Sequence, residues 1–194
     1  MSTHPEDRAL RLTFLLGGVR AGKSAKALQL AHSYSLNTPE RSVLFVATAQ
    51  AFDSEMTQRI IAHKAERPAH WRTLEEPVEI ADEIAQTLER HPDTHVVVID
   101  CLTLWVSNIL LNCAEDDDVE LIVSRRTTEL LSALRRFCNA DTVSAVPRRC
   151  LIVSNEVGLG IVPPTPLGRQ YRDALGRANQ LVAAAATDVT LMVA

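Results

Sequence analysis

The sequence of 194 residues lacks the features that mark disordered, fibrous or membrane-spanning chains. It contains only seven glycines and nine prolines, and 46% of its residues are hydrophobic, which excludes a disordered or collagen-like chain. Its strongly apolar runs, such as 96–99 and 151–153, fall far short of the ~20 residues that a membrane span needs. The polar start shows no apolar signal core. We therefore expect a single catalytic domain over 1–194, located in the cytoplasm, with 1–11 as a flexible extension.

Two further absences bear on binding partners. The formal charge is −4 and no dense run of lysine or arginine occurs, so the sequence does not suggest nucleic-acid binding. The four cysteines, Cys101, Cys113, Cys138 and Cys150, fit neither a CxxC metal site nor a disulfide framework. We interpret them as packing residues in a reducing compartment, and we expect small molecules as partners.

Short β-branched or apolar runs alternate with longer amphipathic stretches along the chain. The expected strands are 12–16, 43–47, 95–99, 150–154 and 189–193, and the expected helices are 23–35, 54–66, 78–90, 119–138 and 168–186. Such alternation predicts right-handed crossovers and a mainly parallel sheet covered on both faces. The acidic run 115–118 is interpreted as the entry to the next helix, and the proline-rich run 163–166 as a loop.

A glycine-rich stretch directly follows the first expected strand. Its residues match the pattern G-x-x-x-x-G-K-[ST] of a phosphate-binding loop, and they are Gly17, Gly18, Val19, Arg20, Ala21, Gly22, Lys23 and Ser24. The glycines allow backbone N–H groups to converge on phosphate oxygens, and the helix that follows adds its positive end. Lys23 can reach the β- and γ-phosphates and Ser24 can bind Mg²⁺. The loop therefore predicts a nucleoside triphosphate as ligand.

The run His95-Val-Val-Val-Ile-Asp100 supplies the acidic residue that such a loop also requires. Asp100 is expected at the tip of a buried strand, where a carboxylate can hold the metal ion directly or through water. The alternative, a strand-end turn or a helix cap, is less favoured once the glycine loop is present. Together with the alternating elements, these features predict a three-layer α/β sandwich of the P-loop NTPase-like (RecA-like) type.

The expected helix at 54–66 carries a histidine between basic residues. Arg59, His63 and Arg67 follow one another at four-residue steps, so they share one face if the helix continues to Arg67. Such a cationic face suits an anionic substrate, and nearby positive charge favours the neutral imidazole, whose ring nitrogen is a nucleophile. The alternative is an ordinary half-exposed histidine without a role.

Beyond these local patterns, the sequence resembles the family of bifunctional adenosylcobinamide kinases / adenosylcobinamide-phosphate guanylyltransferases from about Leu12 to Val193. The resemblance rests on separated segments in the family's order: GGVRAGKS at 17–24, ATAQ at 47–50, DSEM at 53–56, RIIAHK at 59–64, RPAHWRT at 67–73, NEVGLGIVP at 155–163 and RDALGRANQ at 172–180. A phosphate-binding loop alone is common to many proteins, whereas this ordered set is specific.

The resemblance implies two successive reactions in the assembly of the cobalamin nucleotide loop. The first phosphorylates the aminopropanol hydroxyl of adenosylcobinamide, and the second transfers GMP from GTP to that phosphate to give adenosylcobinamide-GDP. GTP or ATP with Mg²⁺ would be used, and the histidine matching His63 would carry GMP covalently. The resemblance also implies a homotrimer with sites near subunit boundaries.

The family resemblance further implies a set of nucleotide contacts besides the glycine loop. They are Ala47, Thr48, Ala49, Lys64, Ala65, Glu66, Arg67, Glu75 and Asp100. For these residues, plain structural support is the alternative to ligand contact. Lys23 joins His63 as the second residue to which we assign a catalytic role.

Two segments and the function itself leave alternatives open. The segment 155–163 is either a substrate loop or an ordinary connection, and a polar stripe from Arg169 to Gln180 is either a corrinoid contact or a solvated or subunit-facing surface. The alternative functions are a P-loop kinase of another small alcohol and a non-enzymatic GTP-binding assembly factor. The second is disfavoured because no N-K-x-D guanine-reading motif occurs.

Overall fold

The computed structural model describes residues 10–36, 42–51, 53–140 and 146–193, and in these ranges six strands alternate with six helices. The strands are β1 (Leu12–Gly17), β2 (Val43–Ala47), β3 (Arg72–Glu75), β4 (Val96–Asp100), β5 (Arg149–Asn155) and β6 (Asp188–Met192). The helices are α1 (Lys23–Ser35), α2 (Ser54–Ala65), α3 (Ile80–Arg90), α4 (Leu102–Asn112), α5 (Val119–Asn139) and α6 (Pro166–Ala185).

The strands form one sheet in the order β3-β2-β4-β5-β1-β6, and every neighbouring pair is parallel. Two hydrophobic clusters cover its two faces. Phe14 and Ile152 point into the cluster formed with α3 to α6, whereas Leu15 and Val153 point into the cluster that contains Ala27 of α1. The three-layer α/β sandwich with a parallel sheet is therefore confirmed. In this order, β5 separates the strand before the glycine loop from the strand that ends at Asp100.

Local side-chain caps explain where several helices begin. Asp53 accepts a hydrogen bond from the N–H of Met56 at the start of α2, and Asp118 accepts one from Leu121 at the start of α5. The acidic run at 115–118 is thus a helix entry, as expected. The helix α6 starts at Pro166, two residues before the expected start, because Thr165 caps it and proline is tolerated in a first turn.

Two elements were missed by the sequence analysis. The strand β3 is a four-residue edge strand whose residues alternate between partial burial and exposure, so it contains no apolar run that would predict a strand. The helix α4 buries six of its eleven residues, and its sequence therefore lacks the polar stripe that marks a surface helix. Both elements can be recognised only in the tertiary structure, where β3 pairs with its neighbouring strand and α4 is covered by its neighbours.

The start of the chain enters the packed fold earlier than expected. Residues 1–9 of the expected flexible extension lie outside the described residues. Leu10 is only 2% exposed and belongs to the core, and the guanidinium of Arg11 donates to the carbonyl of Cys138 at 3.3 Å. The expected extension to residue 11 therefore reaches too far, because these two residues are part of the packed structure.

Candidate nucleotide-binding and transfer site

The glycine loop joins β1 to α1 at the carboxyl edge of the sheet. Gly22 has a φ of +79°, a left-handed conformation that favours glycine. Gly17 lies so close to β6 that an added Cβ would stand 2.2 Å from the carbonyl oxygen of Met192. Glycine is therefore required at one position for the backbone conformation and at the other for the close approach of two strands. The loop residues Val19 and Arg20 are exposed to solvent.

Lys23 folds back onto the loop that precedes it. The residue is 6% exposed, and its ammonium donates to the carbonyl oxygens of Gly17, at 3.0 Å, and of Gly18. Burial lowers the pKa of Lys23, and electrostatic interactions with Cys101 and Asp100 act against this effect. The ammonium is thus held at the loop, where phosphate oxygens would bind.

Several of the other expected site residues lie close enough to Asp100 to interact with its carboxyl. Burial raises the pKa of the Asp100 carboxyl, and this is opposed by the hydrogen bond from the Ser24 hydroxyl and by electrostatic interactions with His63, Arg67 and Lys23. These side chains come from β4, α1, α2 and the turn after α2. The structure therefore brings together residues that are up to 77 positions apart in the sequence.

The expected cationic face around His63 is wrong in two respects. Helix α2 ends at Ala65, so Arg67 lies beyond it and does not continue the face. The guanidinium of Arg59 is paired with Glu55 at 2.7 Å, which neutralises its charge locally. The electrostatics of this surface depend on carboxylates one helical turn away from the basic residues. The four-residue spacing of the basic residues does not reveal these carboxylates.

His63 is accessible at the carboxyl edge. Its side chain is 50% exposed, and its Nδ1 lies 3.7 Å from a carboxylate oxygen of Glu66. No residue of α2 is buried. The imidazole can therefore be approached by a ligand without displacing core side chains.

Arg67 takes a position that the helical spacing does not predict. Its guanidinium stacks over the ring of Phe45, with 4.0 Å between Cζ and the ring centroid. Its Nε and Nη1 are buried and have no hydrogen-bond partner among the residues that the structure describes. Burial lowers the pKa of Arg67, opposed by the charges of Asp100, Glu75 and Glu66. Two buried N–H donors beside the site suit an anionic ligand.

Some of the remaining expected contacts lie at the end of α2 and on β3, and the others lie at the end of β2. Lys64 forms an ion pair with Glu75, which ties the end of α2 to β3. Thr48 is fully buried, and its hydroxyl donates to the carbonyl of Cys101 at 2.8 Å and accepts from the Cys101 N–H at 2.9 Å. The Thr48 hydroxyl is therefore used to join two strand ends. Ala47 and Ala49 flank it at the same edge, and Ala65 closes the helix.

The residues at the end of β5 open the segment 155–163, for which the sequence left a substrate loop and an ordinary connection as alternatives. The N–H of Asn155 donates to the hydroxyl of Thr103 at 2.9 Å, and the amide of Asn179 donates to the Asn155 carbonyl at 3.1 Å. The N–H of Glu156 donates to the carbonyl of Gly17 at 3.1 Å. These bonds fix the end of β5 against the glycine loop. The sequence does not predict these bonds, because each joins segments that are distant along the chain.

The polar stripe of α6 separates into an inner and an outer part. Asn179 is buried and bonded to β5. The outer residues line an open depression of about 290 Å³ together with residues of α5 and of the loop after β5; the lining residues are Glu120, Gly158, Arg172, Asp173, Gly176, Arg177 and Gln180.

A glycine loop after β1, a lysine held on its carbonyls and an acidic strand end beside its serine define a nucleotide-binding protein of the P-loop class. The comparison with known proteins is more specific. Residues 13–194 match the CobU family, cobinamide kinase / cobinamide phosphate guanyltransferase, and the chain belongs to this family. It is therefore a transferase of adenosylcobalamin biosynthesis, a cobinamide kinase and cobinamide-phosphate guanylyltransferase.

Relatives of known name agree over nearly the full length of the chain. The bifunctional adenosylcobalamin biosynthesis protein CobP of Pseudomonas aeruginosa is 41% identical over 180 residues, which are 93% of this chain and 91% of that protein. The corresponding CobU proteins of Escherichia coli and Salmonella typhimurium are 35% and 36% identical, and the alignments cover 94% of this chain and 95% of each relative.

A similar solved structure shows the fold alone. The flagellar accessory protein FlaH from Methanocaldococcus jannaschii superposes with a TM-score of 0.52 at 13% identity, covering 94% of this chain and 71% of that one. In the described ranges no helix is long and apolar enough to cross a membrane.

Proposed function

We propose that both reactions of this enzyme take place at the carboxyl edge of the sheet, with the nucleotide phosphates on the glycine loop and with His63 as the group that carries GMP. The observation that carries the proposal is the convergence of Ser24, His63, Arg67 and Lys23 on Asp100. A phosphate-binding loop and an accessible imidazole at one place are what a nucleotidyl transfer through histidine requires.

In the kinase step, the aminopropanol hydroxyl of the corrinoid attacks the terminal phosphorus of the nucleotide. The bond from this phosphorus to the bridging oxygen breaks as the bond to the hydroxyl oxygen forms, the nucleoside diphosphate leaves, and the hydroxyl proton passes to water. Lys23 stabilises the negative charge that builds up on the phosphate oxygens.

In the guanylyl-transfer step, a neutral ring nitrogen of His63 attacks the α-phosphorus of GTP. The N–P bond forms as the bond to pyrophosphate breaks, and the corrinoid phosphate then displaces the imidazole to give the GDP-corrinoid. The Glu66 carboxylate lies 3.7 Å from Nδ1, so Nε2 is the nitrogen that faces the phosphorus. Glu66 stabilises the positive charge on the ring while GMP is attached.

The proposed role of each other nucleotide contact depends on whether its side chain is already bonded within the protein. Arg67 offers its two buried N–H donors to phosphate oxygens. The ion pair of Lys64 with Glu75 holds the end of α2, so these two residues position His63. The backbone at Ala47 and Ala49 lines the edge, while Thr48 keeps it in shape through its bonds to Cys101.

The donor set also fits a magnesium ion. The Ser24 hydroxyl and the Asp100 carboxylate are adjacent oxygen groups, the ligand type that Mg²⁺ prefers. Within the part of the chain that the structure describes, no three His, Cys, Asp or Glu side chains form a metal cluster. This suits an ion that takes its other ligands from phosphates and water. When bound, Mg²⁺ would neutralise charge on the β- and γ-phosphates.

Labelling with GTP that carries a radioactive α-phosphate tests the covalent step. The wild-type protein should retain the label after denaturation, and acid should release it, as expected of a phosphoramidate. His63→Ala should retain none. His70→Ala is the matched control, because His70 is an exposed histidine seven residues further along that has no role in the proposal.

Two outcomes would contradict this proposal. Label retained by His63→Ala would assign the nucleophile to another residue. A wild-type protein that phosphorylates the corrinoid but never retains label would favour the simple kinase among the alternatives. Mapping the labelled peptide by mass spectrometry separates these cases.

We also propose a homotrimer and a cytoplasmic location. The edge strand β6 exposes Val189 and Leu191, and the loop after β5 exposes Leu159 and Ile161, which are apolar surfaces that a partner subunit would cover. The free cysteines suit a reducing compartment. Light scattering after gel filtration should give three times the chain mass; the mass of a single chain would rule the trimer out.

A further inference from the structure

The register of the sheet puts Asn155 beside the groups that handle phosphate. In the pairing of β5 with β1, Asn155 stands opposite Gly17, and in the pairing with β4, Val153 stands opposite Asp100. Val153 points to the α1 face of the sheet. Because side chains alternate along a strand, Asn155 points to the same face, two residues nearer the carboxyl edge than the level of Asp100.

The backbone of Asn155 is held by two helices. Thr103 of α4 accepts from its N–H and Asn179 of α6 donates to its carbonyl. Asn179 is 6% exposed, and its own Oδ1 has no hydrogen-bond partner in the described part of the chain. Burying an amide with one unpaired polar atom costs free energy. Because the Asn179 amide is nevertheless placed to bond the carbonyl of Asn155, the backbone position of residue 155 is tightly specified.

The fold makes no use of the Asn155 side chain. Its carboxamide forms no hydrogen bond with any residue in the described ranges, and the residue is partly exposed. Next to it, the carbonyl of Gly17 binds the ammonium of Lys23 at 3.0 Å. A carboxamide carried on a backbone that is held at this point, with both of its polar atoms unengaged within the described residues, is available to a ligand on the loop.

We propose that Asn155 is a catalytic residue of the kinase reaction and that its Nδ2 donates a hydrogen bond to the terminal phosphate of the bound nucleoside triphosphate. The inference rests on the proposed placement of the phosphates on the glycine loop. As the bond from the terminal phosphorus to the bridging oxygen breaks and the bond to the corrinoid hydroxyl forms, charge spreads over the phosphoryl oxygens. A neutral hydrogen-bond donor at this place would stabilise that charge.

The terminal phosphate gives this inference a specific test, because ADP lacks it. We expect Asn155→Ala to lower kcat of corrinoid phosphorylation on the order of 10²-fold, the typical effect of removing one fixed donor. Calorimetry should show weaker binding of ATP with Mg²⁺, while the affinity for ADP stays unchanged. Asn155→Asp, which places a negative charge near the phosphate, should lose more activity than Asn155→Ala.

Ser154→Ala is the matched control. Ser154 is the neighbouring residue on the opposite face, it is fully buried, and its hydroxyl has no hydrogen-bond partner. This variant should keep the kcat and both nucleotide affinities of the wild-type protein. A loss in Ser154→Ala comparable to that in Asn155→Ala would show that any disturbance of the strand end has this effect, and it would overturn the inference.

The remaining outcomes also decide the question. If Asn155→Ala weakens ADP and ATP binding equally, or fails to bind either, the residue is structural and the inference is wrong. If its kcat and ATP affinity equal those of the wild type, the carboxamide does not touch the terminal phosphate. If Lys23→Ala leaves ATP affinity unchanged, the placement of the phosphates on the loop has failed instead, and the two failures are thus distinguishable.

Discussion

The glycine loop and helix α2 meet at the same edge of the sheet but are held in different ways. The loop follows a buried strand, and its Lys23 is buried and bonded to loop carbonyls. Helix α2 has no buried residue, and it is held by its Asp53 cap and by surface ion pairs.

The difference suits two different tasks. A loop already shaped for phosphate loses little freedom when the nucleotide binds, so binding energy goes into grip and orientation. A segment with few buried contacts opens at low free-energy cost, and in the proposed mechanism this would let α2 move its histidine between the α-phosphorus and the corrinoid phosphate. The rigid glycine loop thus suits a nucleotide site that both proposed reactions share. The exposed helix α2 suits a histidine that would react first with the nucleotide and then with the corrinoid phosphate.

The largest expected effect comes from removing the loop lysine. Lys23→Ala should lower kcat/KM of both reactions on the order of 10²–10³-fold, because both use the same phosphate site. His63→Ala should abolish guanylyl transfer and leave corrinoid phosphorylation close to the wild-type rate. Steady-state assays of the two steps with separate substrates measure this split, and equal loss of both activities in His63→Ala would break the comparison.

A pair of substitutions compares the two regions by stability. Gly17→Ala forces a Cβ against the carbonyl of Met192 and should lower the free energy of unfolding by about 1–3 kcal/mol. Ile61→Ala on α2, where the side chain is 61% exposed, should change it by less than about 0.5 kcal/mol. Urea titration measures both values, and a large loss in Ile61→Ala would show that α2 is packed more firmly than its exposure indicates.

The cap of α2 should matter locally more than globally. Asp53→Ala removes the hydrogen bond to Met56 and should destabilise the helix by about 1 kcal/mol. Because α2 contributes no buried residue, we expect faster hydrogen exchange in α2 and slower guanylyl transfer, with nearly unchanged urea unfolding. Unchanged exchange within α2 would contradict this expectation.

The smallest expected effect concerns the ion pair between β3 and the turn after α3. Partial burial acts to raise the pKa of Asp93, but the hydrogen bond and charge of Arg72, 2.7 Å away, outweigh it and lower the pKa. The pair therefore stabilises the fold above pH 3.8, and this contribution is lost as the pH falls through the lowered pKa.

Asp93→Asn should accordingly lower the free energy of unfolding at pH 7 by about 0.5 kcal/mol, because the pair is partly exposed and screened by solvent. The difference from the wild type should shrink as the pH falls below 3.8. Asp116→Asn, in the exposed acidic loop, is the control and should have no such pH-dependent effect. A difference that grows in acid would contradict the assigned sign.

The sequence predicted the elements whose signals are local. The strands β1, β2, β4, β5 and β6 and the phosphate loop were recognised because short β-branched or apolar runs and the G-x-x-x-x-G-K-[ST] spacing are properties of short segments. The edge strand β3 and the buried helix α4 were missed, because the first carries no apolar run and the second no polar stripe.

The site was predicted as a set of residues but not as an arrangement. His63 and Asp100 were identified, yet the spacing suggested a cationic face that the pairing of Arg59 with Glu55 abolishes. The stacking of Arg67 on Phe45 depends on contact between β2 and the segment after α2, which no sequence period reveals. The two hydrogen bonds that hold the backbone of Asn155 likewise join segments that are 52 and 24 residues apart.

The amino-acid order by itself determined a parallel α/β chain, a loop shaped for phosphate and membership of the CobU family, since hydrophobic period and glycine spacing act over a few residues. Only the tertiary structure decided that β5 lies between β1 and β4, and that its last residue stands beside the phosphate loop. The reason is physical: strand order and side-chain convergence follow from the packing of both sheet faces at once, which no single segment encodes.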